Sequence, residues 1–497
     1  MDLKYYGFFF GAALSLQLAA WAALSQRVFR GVFVAFFLST LYMLDINFMS
    51  HEWYRGSTRG FEVSISDLLL AILLIAFFAQ SKSLNRAEGG IQWFPKGTIP
   101  ILLFLGIATL SLLGAESRLY GLFELSKMLK GLMIFWVVAN LVKTEEWTRV
   151  AFYTIFVMAG LEIVFASIQH FRGIYRLPGT LGHPNSLAMY LNMLIPILLA
   201  YALWGETRRR WIFFTLIAGG VTIVILTFSR GGWISLALAC SIVMVISLIQ
   251  KPSPRLVGTL ALCGLLMGGL VVKEWPHIAA RWTNAPVESL NSRLNMNEGA
   301  YVMVRQSPWL GVGVNNSAAW LQKKEKEVGG DPFYRITGRS RLNLMLGSLQ
   351  LSEEKLEQDI EALTYVAGGT MIHNIYLVTA AETGLLGLGA YLLIALRLGW
   401  IGVRTVLVSH QGLGGVLALG ILGAFVATYT QGLAEWVFRQ TPIFYLFWTL
   451  MGLLVAINRM PVRGNDQKER RALSLSSPCP PLSLPARGGH SIPLPKS

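Results

Sequence analysis

Runs of about twenty apolar residues recur along the whole chain, and this pattern constrains the fold more than any other feature. A helix needs about twenty apolar residues to cross the hydrocarbon core of a bilayer, because each residue adds about 1.5 Å. The runs are continuous rather than alternating, which is typical of helices and not of a membrane β-barrel. Only 14% of the 497 residues are charged, whereas a soluble protein carries about 25%. The sequence therefore predicts an all-α polytopic membrane protein.

The apolar runs predict about thirteen membrane-spanning helices, within a range of about 12–14. They lie near residues 5–26, 30–50, 63–80, 98–115, 121–142, 149–168, 184–204, 211–228, 231–249, 256–272, 374–396, 412–430 and 442–458. We expect four parts: N-terminal transmembrane helices over 1–272, one large and partly helical loop over 273–372, C-terminal transmembrane helices over 373–458, and a tail over 459–497. The tail is basic and then rich in Pro and Ser, so it is expected to be disordered.

Lysine and arginine are concentrated in every second loop, and cytoplasmic loops carry this excess. The basic set comprises Arg27/Arg30, Lys82/Arg86/Lys96, Lys143/Arg149, Arg208–Arg210, Lys251/Arg255, Arg397/Arg404 and the tail from Arg459. The large loop is then expected on the outer side. The outward set is sparser and holds Arg55/Arg59, Arg118, Arg172/Arg176, Arg230, the large loop and residues 435–442.

The formal net charge of +15 could suggest a nucleic-acid partner, but the distribution of the charge argues against one. The basic residues are spread over short loops between apolar segments, which is what membrane topology requires. We therefore expect no nucleic acid. Membrane lipids and an anionic lipid-linked substrate are the expected partners.

Three outward segments each lead into a helix that descends into the bilayer: "YRLPGTLGHPNS", "FSRGGW" and "MIHNIYL". Each presents a helix N-terminus, with free N–H groups and a partial positive charge, to the same side. Arg176 and Arg230 stand beside two of these ends. If the helices meet, they form an anion site, and two guanidiniums match a diphosphate.

Plainer roles exist for the same residues. Arg230 could reach the lipid headgroups, and Arg172 and Arg176 could be interfacial anchors. His183 or Asn185 could cap the seventh span, for which Pro184 suits the first turn. Each alternative would leave the residue without a part in chemistry.

His373 precedes the eleventh span and is the candidate catalytic base, because a neutral imidazole can accept a proton near neutral pH. Asn374 follows it, and Tyr376 lies one helical turn on. Glu382 is nine residues further along, so it is not a direct partner. A buried hydrogen-bonding role is expected for Glu382.

The large loop contains the stretch "SRLNMNEGAYVMVRQSPWLGVGVNN" over 292–316. Its pattern predicts a helix through about Gln306 and a turn at Ser307–Pro308. Arg293 and Arg305 lie on this helix and could also contact an anion. A second amphipathic helix is predicted over 339–366.

Four blocks in order resemble the signature of a known family: "RLPGTLGHPNSLAMYL", "LTFSRGGWISLAL", "SPWLGVGVNN" and "HNIYLVTAAETGLLGLGAYLL". They look like those of the O-antigen ligase and O-antigen polymerase superfamily, polytopic bacterial membrane glycosyltransferases with a C-type fold. The resemblance covers about residues 60–458. It implies an inner-membrane enzyme whose active site faces the periplasm.

The resemblance implies transfer of a glycan from an undecaprenyl-diphosphate carrier to an acceptor hydroxyl, with no metal, nucleotide sugar or other cofactor. Carried over to this sequence, Arg176 and Arg230 would hold the diphosphate, with Arg293 or Arg305 as a further contact. His373 would activate the acceptor, and Arg172, His183, Asn185, Asn374 and Tyr376 complete the candidate binding residues. A single attack would invert the anomeric carbon.

The possible glycosyltransferase functions differ in the acceptor of the glycan. Lipid A core would make the protein a ligase, which the paired arginines and the HN block favour. A growing polysaccharide would make it a polymerase, and a protein serine would make it an oligosaccharyltransferase. A transporter of lipid-linked sugars is the alternative of another class, although the two halves show no clear repeat.

Overall fold

The protein is described from a computed structural model, which gives residues 3–42, 44–51, 54–87, 90–205, 209–250, 287–328, 372–408 and 412–460, with isolated positions between 252 and 275. The tenth predicted span, the amphipathic helix predicted over 339–366 and the tail from residue 461 lie outside the described residues, apart from those isolated positions.

Helices dominate the described residues. They are α1 (Leu3–Leu24), α2 (Gln26–Ser39), α3 (Ile65–Ala87), α4 (Thr98–Ser111), α5 (Arg118–Leu141), α6 (Glu145–Phe171), α7 (Pro184–Trp204), α8 (Arg210–Leu226), α9 (Arg230–Gln250), α10 (Val287–Gln306), α11 (Ser317–Val328), α12 (Ile375–Val408), α13 (Gly412–Gln431) and α14 (Thr441–Arg459). Seven of them, namely α1, α6, α7, α9, α12, α13 and α14, are long and apolar enough to cross a membrane. The expected all-α polytopic membrane fold is confirmed.

The second predicted span, 30–50, was wrong in its second half. Helix α2 ends at Ser39, and a short antiparallel hairpin follows, with β1 (Asp45–Phe48) paired to β2 (Phe61–Ser64). Polar Asp45 and Asn47 alternate with apolar Ile46 and Phe48, and this period of two fits a strand rather than a helix. The hairpin places residues 54–60, with Arg55 and Arg59, beside the helix bundle.

The centre of the bundle is formed by α7, α13 and α14. Within the most apolar stretch of each helix, 89% of α7 and 94% of α14 is buried, against 11% of α1. In a bilayer, α1 would therefore present most of its surface to lipid, whereas α7 and α14 pack against protein on all sides. The central helices are the rigid elements from which the candidate site is built.

Helix α12 is broken at Gly384, whose backbone lies at φ 70° and ψ −175°. The turn predicted at Ser307–Pro308 docks into this break: the Leu385 N–H donates to the Pro308 carbonyl at 2.7 Å, and the Val312 N–H donates to the Ala381 carbonyl at 2.9 Å. A Cβ at residue 384 would lie 2.1 Å from the Trp309 oxygen, so only glycine fits. The loop thereby satisfies backbone groups that a broken membrane helix would leave unpaired.

Asn315 and Glu382 connect this docked turn to its surroundings. The Asn315 side chain is fully buried, donates to the backbone carbonyls of Thr58 (3.0 Å) and Tyr120 (2.8 Å), and accepts from the Ser57 N–H (2.7 Å). Glu382 accepts from the Asn315 N–H at 2.8 Å and from the Ser317 hydroxyl at 2.7 Å. These bonds agree with the buried hydrogen-bonding role expected for Glu382.

Candidate functional site

The N-termini of α7, α9 and α12 meet at one end of the bundle, around residues 432–440, which link α13 to α14. Asn192 of α7 donates to the Gly232 carbonyl of α9 at 2.9 Å and to Gln431 of α13 at 3.0 Å. The first amide of α12, on Ile375, donates to the Gly432 carbonyl at 2.9 Å. Three helix ends with partial positive charge therefore face one region.

A carboxylate–histidine pair lies at this meeting point. His373 Nδ1 is 3.1 Å from Glu435 Oε2, and the other oxygen of Glu435 accepts a 2.7 Å hydrogen bond from Asn185. Arg176 continues the chain, donating to Asn185 Oδ1 at 3.4 Å and to the Thr227 carbonyl at 3.2 Å. Hydrogen bonds thus join Arg176 to Asn185, Asn185 to Glu435, and Glu435 to His373.

The two members of the pair differ in their access to solvent. The side chain of Glu435 is 8% exposed and that of His373 is 36% exposed. A buried carboxylate on Nδ1 fixes the orientation of the ring and can hold the proton on that nitrogen. The opposite nitrogen, Nε2, is then the one available to accept a proton from a ligand.

His183 belongs to the same cluster, although it does not act as a side-chain cap. It occupies the N-cap position of α7 in extended conformation and makes no capping hydrogen bond, while Pro184 takes the first turn as expected. Burial lowers the pKa of His183, Glu435 opposes this shift, and Arg176, Arg439 and His373 reinforce it. The charges of these four groups therefore act on the His183 imidazole.

Asn374 and Tyr376 have structural contacts. The Asn374 oxygen caps α12 by accepting from the N–H groups of Tyr376 (2.9 Å) and Leu377 (3.0 Å). The Tyr376 hydroxyl donates to the Tyr429 carbonyl at 2.8 Å, and its ring packs against Tyr391. Both residues hold the start of α12 against α13 and so help to position the neighbouring His373.

Arg230 is the first residue of α9 and is half-buried. The next residue, Gly231, packs against Ala434, because a Cβ there would lie 3.4 Å from that of Ala434. A Cβ at Gly232 would come within 2.7 Å of Ala188. Gly231 and Gly232 thus admit the 432–440 segment and α7 at close range, which places Arg230 next to the residues that flank Glu435.

Two further candidate arginines, Arg172 and Arg305, are not drawn into the cluster. Arg172 is exposed at the end of α6, and Arg305 is exposed in the last turn of α10. No hydrogen bond or ion pair between described residues joins either of them to His373. Arg293 lies on α10, but its side chain is outside what the structure describes.

Glu435 is the residue that sequence reasoning did not assign to the site. The outward stretch "EWVFRQTP" contains Glu435 and Arg439 four residues apart, and this spacing fits a surface pair as readily as a shared cavity. Glu435 lies 62 residues from its histidine partner. A carboxylate just before the last apolar segment was the only signal, and it gave no partner.

The comparison with known families agrees with the sequence motifs. Residues 216–336 match the family model described as O-Antigen ligase. This region includes α9 with Arg230, the described helices of the large loop and the turn that docks into α12. No curated protein matches the chain. Over this region the chain is similar to the O-antigen ligase family, and its long apolar helices are those of a multi-pass membrane protein.

Proposed function

We propose that the protein is an O-antigen ligase that transfers a glycan from undecaprenyl diphosphate to a hydroxyl of lipid A core. The reaction would take place at the periplasmic face of the bacterial inner membrane. The observation that carries this proposal is the bonded chain from Arg176 through Asn185 and Glu435 to His373. It brings a cation suited to a diphosphate and a candidate base into one cluster.

The proposed reaction begins at the acceptor. Glu435 holds the proton of His373 on Nδ1, so Nε2 takes the proton of the acceptor hydroxyl as its oxygen attacks the anomeric carbon. The bond from that carbon to the diphosphate oxygen breaks at the same time. Attack opposite to the leaving group inverts the anomeric configuration. A positioned base contributes about 10²–10⁴-fold to such a reaction.

The leaving group is the undecaprenyl diphosphate, on which negative charge grows as the bond breaks. Arg176 and Arg230 would stabilise this charge, together with the N-terminal dipoles of α7 and α9. Guanidiniums can bind two phosphate oxygens at once, which fixes the diphosphate in line for the attack. This arrangement provides charge stabilisation from the protein itself, in keeping with the predicted metal independence.

The test uses the purified protein in nanodiscs with undecaprenyl-diphosphate-linked glycan and lipid A core, without nucleotide sugar and with EDTA. Mass spectrometry should detect glycosylated core of inverted anomeric configuration. Parallel reactions offer a repeat-unit chain or a serine-containing protein as acceptor. Transfer to one of these alone would make the protein a polymerase or an oligosaccharyltransferase. Translocation of the lipid without any transfer would overturn the enzyme assignment.

A further inference from the structure

The segment 432–440 carries Glu435 and is anchored on both sides of that residue. On the near side, the carbonyls of Gly432 and Leu433 accept hydrogen bonds of 2.9 and 3.0 Å from the residues that begin α12. These bonds tie the segment to the backbone that follows His373. The residues from 435 onward form turns and bends rather than a helix or a strand, so their position depends on what binds them on the far side.

Lys127 of α5 supplies the far anchor. Its ammonium donates to the carbonyls of Phe438 at 2.8 Å and Arg439 at 2.7 Å, just after Glu435 in the chain. Lys127 is only 4% exposed, and its Nζ lies 5.5 Å from the centroid of the Phe444 ring. A lysine is almost never buried to this degree unless its charge has partners. Here both hydrogen-bond acceptors belong to the backbone of one segment, so the buried charge serves to hold that segment.

Glu62 of β2 offers Lys127 a nearby negative charge. The two residues line one small cavity together with Lys130 and Thr441, and the Glu62 Oε1 atom is buried without a hydrogen-bond partner among the described residues. Burial raises the pKa of Glu62 to about 7, and the charge of Lys127 opposes this rise. A carboxylate in the same cavity partly offsets the cost of burying the ammonium, whose own hydrogen bonds go to the backbone of 432–440.

Lys130, one helical turn further along α5, holds a different part of the molecule. Its ammonium donates to the backbone carbonyl of Glu62 and pairs with Asp67 at 3.0 Å. It therefore joins the hairpin to α3, and no hydrogen bond within the described residues links it to the segment 432–440. The two lysines share a helix and a cavity, but of the two only Lys127 binds the segment beside His373.

We propose that Lys127 is a positioning residue of the transfer reaction. By holding two backbone carbonyls of the segment 432–440, its ammonium sets the position of Glu435, which in turn orients His373. This inference rests on the proposed function and assigns Lys127 no contact with either substrate. Without the ammonium, the far side of the segment loses its anchor, and the carboxylate no longer meets Nδ1 of the imidazole in a fixed geometry.

The first test measures glycan transfer by Lys127→Met in nanodiscs. Methionine keeps an unbranched side chain but donates no hydrogen bond, so kcat should fall roughly 10²-fold, as for a catalytic group displaced by about 1 Å. The KM for the donor should stay at the wild-type value. Lys130→Met is the matched control and should keep the wild-type kcat. A wild-type kcat in Lys127→Met, or an equal loss in both variants, would overturn the inference.

A double-mutant cycle distinguishes positioning from a general loss of stability. If Lys127 acts through Glu435, then Lys127→Met should reduce kcat no further in a protein that already carries Glu435→Gln. A lysine that only stabilised the fold would lower the active fraction in both backgrounds by the same factor, and such multiplied losses would contradict the inference. Lys127→Gln, which keeps a neutral donor, gives the same comparison if the methionine variant folds poorly.

Hydrogen exchange gives a readout that does not depend on transfer. The amides of 432–440 should exchange faster in Lys127→Met than in the wild type, whereas in Lys130→Met they should exchange at the wild-type rate. Unchanged exchange in Lys127→Met would remove the anchor role. Multiplied losses with an active wild type would overturn this inference alone, whereas absence of transfer by the wild type would overturn the proposed function on which it rests.

Discussion

Two polar clusters contact helix α12, and they differ in how completely their hydrogen bonds are satisfied. Around Asn315 and Glu382 the side chains are buried, and the Asn315 amide bonds to the protein through both its oxygen and its nitrogen. Around His373 the carboxylate partner is buried, but the imidazole keeps an exposed edge. A saturated buried network rigidifies a fold, whereas an oriented group with an open edge can act on a ligand. The comparison separates the part of α12 that stabilises the fold from the N-terminal end, beside which we propose that the reaction takes place.

The largest effect is expected from Asn315→Ala, because it leaves several buried backbone groups without partners. Each such group costs about 1–3 kcal/mol, so the variant should lose most of its folded population in detergent. Size-exclusion chromatography and thermal melting measure this loss. Asn47→Ala, which removes one hydrogen bond to Asp45, is the matched control. A variant at 315 as stable as the control would remove the distinction between the two clusters.

Glu435→Gln should act on activity rather than on stability. The amide keeps the shape of the carboxylate but can no longer hold His373 in one tautomer by its charge, so kcat should fall roughly 10²-fold. The KM for the donor and the melting temperature should stay close to wild type. Glu116→Gln, which breaks an exposed pair with Lys323, controls for the loss of a negative charge. An unchanged kcat would show that the pair has no part in the reaction.

Arg230→Lys tests the proposed diphosphate site. A lysine keeps the charge but replaces the two-pronged guanidinium with a point charge, so kcat/KM for the donor should fall roughly tenfold. The exposed Arg404 on the distal part of α12 gives the control Arg404→Lys. Wild-type turnover by the Arg230 variant would remove the diphosphate role.

The smallest effect concerns pH. The pKa of His183 is lowered in the folded protein, while in the unfolded chain it is about 6.5. Its contribution to stability is therefore complete above about pH 6.5 and declines as the pH falls below that value. The melting temperature of wild type should drop between pH 7 and 5.5, and His183→Gln should drop less. An equal drop in both proteins would place His183 outside the charged cluster.

Hydropathy alone predicts much of the fold, because spanning helices need long apolar runs and the ends of α7, α9, α13 and α14 fall near the expected residues. The hydropathy prediction fails at the β1–β2 hairpin, because the short strand β1 follows the apolar run of α2 and was included in the same predicted span. It also cannot show that Ser307–Val314 docks into a break at Gly384. That contact depends on backbone groups far apart in the chain.

The candidate site was predictable only where it depends on local features of the sequence. The helix N-termini and the histidine are local features of the sequence, and Asn185 and Arg176 join His373 through the bonded chain. Glu435 lies 62 residues from His373, so only the packing of the helices reveals their proximity. Arg172 and Arg305 are predicted on the outer side of the membrane like Arg176, but in the structure they are exposed.

The most direct test is the transfer rate of His373→Ala in nanodiscs, with lipid A core as acceptor and with free imidazole added in a parallel reaction. We predict a loss of roughly 10²–10⁴-fold, partial recovery with imidazole, and a melting temperature equal to that of wild type. Undiminished transfer by this variant would contradict the role of His373 as the base.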